Sequence, residues 1–170
     1  MAWPLSFDTA RLSAARLRQN HFPDIRCLHT DARVMAHLGG IKTEEESAAY
    51  LERNLSHWDT HEHGVWMLTE RGGAAPIGLA VLRHLDVEGV DEVETGYAFL
   101  EPQWGRGYAT EILQACLAAG FERLRLPSIV AVTTPENAVS QHVLRKGGLV
   151  FEKDFRRGEE PLKLFRIRLS

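Results

Sequence analysis

The residues of this chain best suited to chemistry lie between Val93 and Glu111, in the run Val-Glu-Thr-Gly-Tyr-Ala-Phe-Leu-Glu-Pro-Gln-Trp-Gly-Arg-Gly-Tyr-Ala-Thr-Glu. The run predicts a strand, a turn, a glycine-rich loop over residues 104–109 and the start of a helix. The first N–H groups of a helix have no intrahelical partner, and the helix dipole is positive at that end. Because a glycine-rich loop before such an end can bind phosphate, we expect a phosphate site here.

A carboxylate on the predicted strand adds a second kind of chemistry. Side chains alternate between the two faces of a strand, so one face carries the bulkier residues Val93, Thr95, Tyr97 and Phe99. The other face carries Glu92, Glu94, Gly96 and Ala98. Glycine and alanine leave space above their face, and Glu94 would point into it. A phosphate site beside a carboxylate indicates a nucleotide-tailed cofactor presented to a general base. Glu92 and Asp91 are the alternative candidates for that base.

Length and composition predict one globular domain over residues 8–169. The chain has 170 residues, of which 44% are hydrophobic and 25% are charged, and its formal net charge is −3. No long basic run indicates nucleic-acid binding, and no stretch reaches the roughly 18 apolar residues of a membrane span. The first residues do not resemble a signal peptide. We therefore expect a cytoplasmic protein without nucleic-acid or membrane partners, in which Cys27 and Cys116 are buried free thiols.

Hydrophobic periodicity and turn residues predict a mixed α+β fold. Strands are expected over residues 10–17, 64–70, 76–84, 91–100, 128–134, 149–155 and 161–169. Helices are expected over residues 20–37 with a break, 43–59, from the glycine loop to about 124, and 137–146. Thr43 and Glu46 have the spacing of a capping box at the start of the second helix. Because some strands follow one another and others are separated by helices, the sheet should be mixed.

Taken together, the motifs resemble a known family. The residues that carry the resemblance are Thr9-Ala-Arg-Leu12, Glu94-Thr-Gly-Tyr97, Trp104-Gly-Arg-Gly-Tyr-Ala-Thr-Glu111, Asn137-Ala-Val-Ser140 and Lys146-Gly-Gly148. They resemble the GNAT acetyltransferase superfamily and, within it, the RimJ/RimL-type branch of ribosomal-protein N-terminal acetyltransferases. The run from Trp104 to Glu111 is the most specific of these motifs, and the likeness extends in order from about residue 8 to residue 169.

The resemblance implies a GNAT fold and acetyl-CoA as the co-substrate, without a metal. The fold would be a mostly antiparallel seven-stranded sheet with helices on both faces, in which the fourth strand splays from the fifth and pantetheine lies in the gap. The implied cofactor-binding residues are Tyr97, Phe99, Trp104, Gly105, Arg106, Gly107, Tyr108, Ala109, Thr110 and Asn137. The activity would be acetyl transfer to a primary amine, either a protein N-terminus or a small molecule, by a monomer or homodimer.

The chemistry of such a transfer assigns roles to Glu94 and Ser140. An amine must lose a proton before it attacks a thioester, and Glu94 would accept that proton through water. Leu144 stands where many family members have a tyrosine that protonates the departing thiolate. Since leucine has no proton to give, Ser140 or a water molecule would take this role.

Other readings of the same residues stay open at this stage. The glycine loop is also compatible with an ordinary turn or a Rossmann dinucleotide site, although Thr110 replaces the third glycine or alanine. Glu94 would serve equally as an ion-pair partner of an arginine, and Asn137 as a simple helix cap. A non-catalytic acyl-CoA-binding module is the alternative function.

Two polar clusters have simpler explanations than a site. His57, His61 and His63 include a pair at helical metal-ligand spacing, but no cysteine joins them, and we interpret the segment as a solvated helix end. The acidic run Glu44–Glu46 suits the positive end of a helix dipole, and attraction of a cationic substrate is its alternative role.

Overall fold

A mixed eight-stranded sheet forms the centre of the protein, in a computed structural model that describes residues 5–170. The strands are β1 (Ser6–Asp8), β2 (Leu12–Arg16), β3 (Val65–Glu70), β4 (Pro76–Val87), β5 (Val90–Phe99), β6 (Ser128–Thr133), β7 (Val150–Arg157) and β8 (Glu160–Arg168). Their spatial order is β1-β2-β3-β4-β5-β6-β8-β7, and neighbours are antiparallel except for β5 and β6. The predicted fold class is confirmed, with one short strand, β1, more than expected.

The helices lie close to their predicted positions. They are α1 (Phe22–His29), α2 (Ala32–Met35), α3 (Glu44–His61), α4 (Tyr108–Glu122) and α5 (Ala138–Lys146). α3 begins with the predicted capping box, in which Thr43 Oγ1 accepts from the Glu46 N–H and the Glu46 carboxylate accepts from the Thr43 N–H. The predicted broken helix is a 3₁₀ turn followed by α1 and α2, and Asp31 caps α2 through the N–H groups of Arg33 and Val34.

β5 and β6 part from each other toward their carboxyl ends. Their parallel pairing is registered at Glu94 and Val130. By contrast, β5 stays paired with β4 as far as Phe99, and β6 stays paired with β8 as far as Thr133. Among the described residues, the edge of β5 that faces β6 is therefore open beyond Glu94. This is the predicted splay between the two strands.

The two faces of β5 look toward different helices. On one face, the Tyr97 hydroxyl lies 3.4 Å from the Ser140 hydroxyl of α5. On the other face, Glu94 pairs with Arg83 of β4, which in turn donates to Asn54 of α3. The alternation predicted from the sequence is therefore present, and the gap between β5 and β6 is open to side chains from both sides of the sheet.

Apolar side chains on both faces of the sheet form the core. α4 buries one apolar face, which includes Ile112, Leu113, Cys116, Leu117 and Gly120. Trp58 and Trp66 are core residues, with exposed fractions of 1% and 0%. The Trp58 indole N–H donates to the carbonyl of Val65 at 2.8 Å, so α3 is fastened to β3 by a hydrogen bond as well as by packing.

The prediction for the cysteines is right for one and wrong for the other. Both are free thiols, but Cys27 is exposed. α1 buries Ile25, Leu28 and His29, and Cys27 falls on its outer side. Cys116 is buried, and burial raises the pKa of its thiol to about 12. A thiol held protonated in this way is not a nucleophile.

The histidines at the end of α3 form a packed cluster, so the expectation of a solvated helix end was wrong. His63 is only 4% exposed, and the ring of His61 stacks on His84 at 4.0 Å between centroids. His57 Nε2 accepts from the backbone N–H of His84 at 3.0 Å, while its Nδ1 lies 2.8 Å from the His63 carbonyl. The cause is a tertiary contact, because β4 lies beside the end of α3 and brings His84 against His57 and His61.

No helix within residues 5–170 combines the length and apolar character needed to cross a membrane. In the same range, no group of three or more histidine, cysteine, aspartate or glutamate side chains is arranged to hold a metal ion.

The histidine cluster predicts a loss of stability in mild acid. Burial lowers the pKa of His57 from 6.5 to about 4. The free energy of unfolding is therefore highest above about pH 6.5, where His57 is neutral in both states. It falls as the pH drops toward 4, because the unfolded chain binds a proton that the folded protein does not. After a discount for partial exposure, His57→Gln should reduce the fall in unfolding free energy between pH 7 and pH 5 by about 1 kcal/mol. Urea denaturation at both pH values measures this, with His142→Gln on the exposed face of α5 as control. An unchanged fall in the His57 variant would contradict the assignment.

Candidate active site

The glycine-rich loop ends in an uncapped helix, as a phosphate site requires. Gly105 and Gly107 adopt φ values of 74° and 81°, which favour glycine. Gly107 is the N-cap residue of α4 and offers no side-chain cap to its first N–H groups. Trp104 braces the start of the loop by donating from its indole N–H to the Phe99 carbonyl at 2.8 Å. The loop therefore presents backbone N–H groups and the positive end of the α4 dipole.

The turn between β1 and β2 holds this loop from behind. Glu111 in the first turn of α4 accepts hydrogen bonds from the Thr9 hydroxyl at 2.6 Å and from the backbone N–H and Nε of Arg11, each at 2.7 Å. Arg11 Nη1 also donates to the carbonyl of Arg106 at 2.7 Å. Arg11 thus occupies the Arg106 carbonyl in the middle of the loop, and we call Thr9, Arg11 and Glu111 the loop buttress.

Charge reinforces the buttress. Burial acts to raise the pKa of Glu111, but hydrogen bonds from Thr9 and Arg11 outweigh it, so the pKa is lowered. The Arg11 guanidinium also lies 4.6 Å from the ring centroid of Tyr108, a cation–π distance. Tyr108 in turn donates its hydroxyl to Glu70 at 2.9 Å. The polar side chains behind the loop thereby form hydrogen bonds with one another, and the N–H groups of the loop backbone are left for a ligand.

The start of α5 lies beside the open edge of β5. Asn137 caps this helix, because its Oδ1 accepts from the Ser140 N–H at 3.1 Å; whether its amide also contacts a cofactor stays a prediction. Ser140 is half-buried and faces Tyr97. Leu144, one turn further on, is 2% exposed and belongs to the core. Ser140 and Tyr97 are therefore the hydroxyl groups at this position of the gap.

Glu94 lies on the opposite face and is held by an arginine. Glu94 Oε1 accepts from Arg83 Nε at 2.9 Å, and the two side chains are 13% and 27% exposed. Arg83 Nη1 donates to Asn54 Oδ1 of α3 at 2.9 Å, and its guanidinium lies 5.7 Å from the Tyr50 ring. The ion-pair role that the sequence left open for Glu94 is therefore present. Since the pair uses Oε1, the Oε2 atom is the one suited to accept a proton.

α2 spans the mouth of the gap. Arg33 of α2 pairs with Glu101, which follows β5. His37, two residues beyond the end of α2, lies with Nδ1 3.0 Å from the hydroxyl of Thr134, which follows β6. The segment from Arg33 to His37 therefore contacts the residues that follow both strands, and an acceptor would have to pass it.

An acidic cleft lies elsewhere. It has a volume of about 580 Å³ and is lined by Gln19, Phe22, Glu44, Glu45, Ala48, Leu51 and Glu52. These residues belong to α1, α3 and the preceding turn, and none comes from β5, α4 or α5. We take the gap rather than this cleft as the reaction site, because the gap has the base, hydroxyl groups and phosphate loop together.

The predicted site residues divide into those that face the gap or loop and those that support it. Glu94, Tyr97, Asn137 and Ser140 lie along the gap, while Gly105, Arg106, Gly107, Ala109 and Thr110 form the loop and the first turn of α4. Phe99 and Tyr108 are 5% and 8% exposed, with ring centroids 6.0 Å apart. Their side chains are packing residues, and only their backbone is available to a ligand.

Sequence reasoning missed Arg83 and the loop buttress. A signal for Arg83 was present, because Glu88 and Gly89 form a two-residue hairpin turn with φ values of 52° and 86°. That turn fixes the register of β4 against β5 and so places Arg83 opposite Glu94. The contacts of Arg11 and Glu111 join residues 100 positions apart, and nothing in local sequence patterns indicates such a pair.

Comparison with known proteins identifies the family. The model of the family described as "Acetyltransferase (GNAT) domain" matches residues 11–150. The chain belongs to the GNAT acetyltransferase family. This confirms the resemblance, and it makes the protein an acyltransferase rather than a Rossmann dinucleotide-binding protein.

Individual relatives agree with this family. An uncharacterized N-acetyltransferase of Bacillus subtilis, YnaD, is 30% identical over 83% of this chain and 82% of its own length. An acetyltransferase structure from Agrobacterium tumefaciens is 25% identical with a TM-score of 0.87, covering 99% of this chain and 96% of that one. RimL, a ribosomal L7/L12 α-N-protein acetyltransferase solved with coenzyme A, shares the fold at 14% identity and a TM-score of 0.77, covering 99% and 98%.

The loop buttress predicts a selective effect on binding of the nucleotide part of CoA. Arg11→Gln removes the guanidinium hydrogen bonds to the Glu111 carboxylate and the Arg106 carbonyl but keeps the backbone N–H bond to Glu111, so the loop should lose its phosphate-binding shape. We expect the Kd for CoA to rise about tenfold, the cost of roughly one charge-assisted hydrogen bond. Binding of S-acetylpantetheine, which has no pyrophosphate, should not change. Calorimetry measures both constants.

Arg16→Gln is the matched control, because Arg16 also pairs across a surface, with Asp59 at 2.9 Å, but does not touch the loop. Equal weakening of CoA and S-acetylpantetheine by Arg11→Gln would show that the buttress serves general stability instead.

Proposed function

We propose that this GNAT acetyltransferase moves an acetyl group from acetyl-CoA to a primary amine by direct attack in a ternary complex. The observation that carries the proposal is that the two faces of β5 carry different chemical groups. A carboxylate suited to accept a proton lies on one face of the splayed strand, and a pair of hydroxyl groups suited to donate one lies on the other. The open edge of β5 between them is where a thioester would lie.

Acetyl-CoA fits the chemistry of the residues beside the gap. The loop from Gly105 to Ala109 offers uncapped N–H groups at the start of α4, which suit a pyrophosphate. Asn137 stands at the start of α5, next to the gap, and its amide would hydrogen-bond the pantetheine arm. The N–H groups of β5 near Tyr97–Phe99 would polarise the thioester carbonyl.

The acceptor amine would approach from the α3 face. It must be neutral to attack the carbonyl carbon, and Glu94 Oε2 would accept its proton through a water molecule. Arg83 holds the carboxylate by its other oxygen and so fixes the direction of Oε2. In this scheme Arg83 is a positioning residue, and the network from α3 through Asn54 sets where the base stands.

A protein N-terminus is the acceptor class we favour. An α-amino group has an ordinary pKa of about 7.7–8.0 and a lysine side chain about 10.4, so far more of the former is neutral at pH 7. The solved RimL structure that shares this fold is that of an α-N-protein acetyltransferase. A small-molecule amine is the second acceptor class. A cytoplasmic location, where acetyl-CoA is made and used, belongs to the same proposal.

A non-catalytic acyl-CoA-binding module is the second candidate function. Two observations favour it: Glu94 is engaged in an ion pair, and the tyrosine position of many family members is the buried Leu144. Under this alternative the protein binds acetyl-CoA and transfers nothing.

The test compares two neighbouring carboxylates. Acetyl-CoA-dependent acetylation is measured with a peptide carrying the N-terminus of ribosomal protein L7/L12 and with a panel of small amines. Glu94→Gln should lower kcat/KM at least about 100-fold, as loss of a general base does, while the Kd for acetyl-CoA stays the same. Asp91→Asn, on the same strand but 71% exposed, should leave both values unchanged.

Each other outcome has a clear meaning. If the wild-type protein binds acetyl-CoA but acetylates no amine, the binding-module alternative is correct. If Asp91→Asn and not Glu94→Gln abolishes transfer, the base has been misassigned.

A further inference from the structure

The departing thiolate needs a proton, and the residue that usually supplies it is missing. Leu144 is hydrocarbon and 2% exposed, so it cannot donate. Ser140 is the hydroxyl nearest to that position on α5. An alcohol is a much weaker acid than a thiol, so a lone serine that gave its proton to sulfur would be left as an unfavourable alkoxide. The geometry around Ser140 resolves this difficulty.

Tyr97 contacts Ser140 through its hydroxyl group. The Tyr97 hydroxyl and Ser140 Oγ are 3.4 Å apart, a long hydrogen bond of the kind that often tightens when substrate binds. The Tyr97 ring is half-buried beside Phe99, at 6.3 Å between centroids. Burial raises the pKa of Tyr97, against a smaller opposing effect of the Ser140 hydrogen bond. The phenol therefore keeps its proton at neutral pH.

We propose that Tyr97 replaces the missing tyrosine by supplying, through the Ser140 hydroxyl, the proton that the CoA thiolate takes up. This inference rests on the proposed acetyl transfer. Ser140 is the residue that touches sulfur, and Tyr97 is a positioning residue that acts through it.

The step balances in atoms and charge. Attack forms the C–N bond, and collapse of the tetrahedral intermediate breaks the C–S bond and leaves its electron pair on sulfur. Ser140 Oγ–H then gives its proton to sulfur while the Tyr97 hydroxyl gives its proton to Ser140 Oγ. Tyr97 is left as a phenolate, which regains a proton from solvent. The proton released by the amine leaves separately through Glu94 and water.

Relative acidity explains why a phenol is needed. An ordinary thiol has a pKa of about 8.5 and a phenol about 10, and burial raises the pKa of Tyr97 further. Transfer from Tyr97 to the thiolate is therefore uphill, but much less so than transfer from a serine hydroxyl, because an alcohol is a far weaker acid than a phenol. The two faces of β5 also keep the donor pair apart from Glu94, so the base cannot simply take the proton that the thiolate needs.

The experiment compares thioesters whose leaving thiols differ in acidity and therefore in their need for a proton donor. Tyr97→Phe should lower kcat/KM about 10-fold or more with acetyl-CoA and with S-acetylpantetheine, using the L7/L12 peptide or the best amine of the panel. With 4-nitrophenyl thioacetate, whose thiol is acidic enough to leave without a proton, Tyr97→Phe should match the wild type. Ser140→Ala should show the same pattern, and the double variant should lose little more than either single variant.

A binding measurement needs no turnover. At pH 9 the wild type should bind CoA more tightly than desulfo-CoA, because the hydroxyl pair donates to the thiolate. In Tyr97→Phe this preference should shrink severalfold, while desulfo-CoA binding stays the same and reports intact packing.

These measurements distinguish a failure of the Tyr97 proposal from a failure of the proposed acetyl transfer. Wild-type transfer with an unaffected Tyr97→Phe variant, or an equal loss with alkyl and aryl thioesters, overturns the role of Tyr97 alone. Absence of wild-type transfer to any amine overturns the proposed function. In that case an unchanged preference for CoA over desulfo-CoA in Tyr97→Phe would overturn the contact between the hydroxyl pair and sulfur as well.

Discussion

The separation of β5 from β6 is the constraint on which the rest of this structure depends. A strand inside a continuous sheet has both edges hydrogen-bonded and both faces covered, so it has nothing to offer a substrate. Here the pairing is registered at Glu94 and Val130, and the strands then diverge. The remainder of β5 keeps β4 on one side and exposes its backbone on the other. Side chains from both faces of the sheet thereby reach the same gap.

Two sets of contacts keep that gap useful. Behind the phosphate loop, Thr9 and Arg11 bind Glu111 and hold the start of α4 against the sheet. On the far face, Arg83 joins Glu94 to Asn54, so α3 determines the direction of the carboxylate. Neither set needs to touch a substrate. Both are of the kind that fixes reacting groups in place before any ligand arrives.

Features set by neighbouring residues could be predicted from the sequence, whereas contacts between residues far apart in the chain could not. The glycine loop, the alternation along β5 and the cap at Thr43 follow from local spacing, and all three are present. The exposure of Cys27 and the packing of the histidines were missed, because the first depends on which side of α1 meets the core and the second on where β4 lies beside α3. Arg83 could have been placed from the Glu88-Gly89 turn, whereas the Arg11–Glu111 contact has no local signal at all.

The position of the CoA sulfur in a crystal of the complex tests the central claim most directly. The account predicts that sulfur lies between β5 and β6, within hydrogen-bonding reach of Ser140 Oγ and on the side of β5 opposite Glu94. The pyrophosphate should lie on the N–H groups from Gly105 to Ala109. A sulfur outside the gap, or on the α3 face beside Arg83, would contradict the division of labour between the two faces of β5.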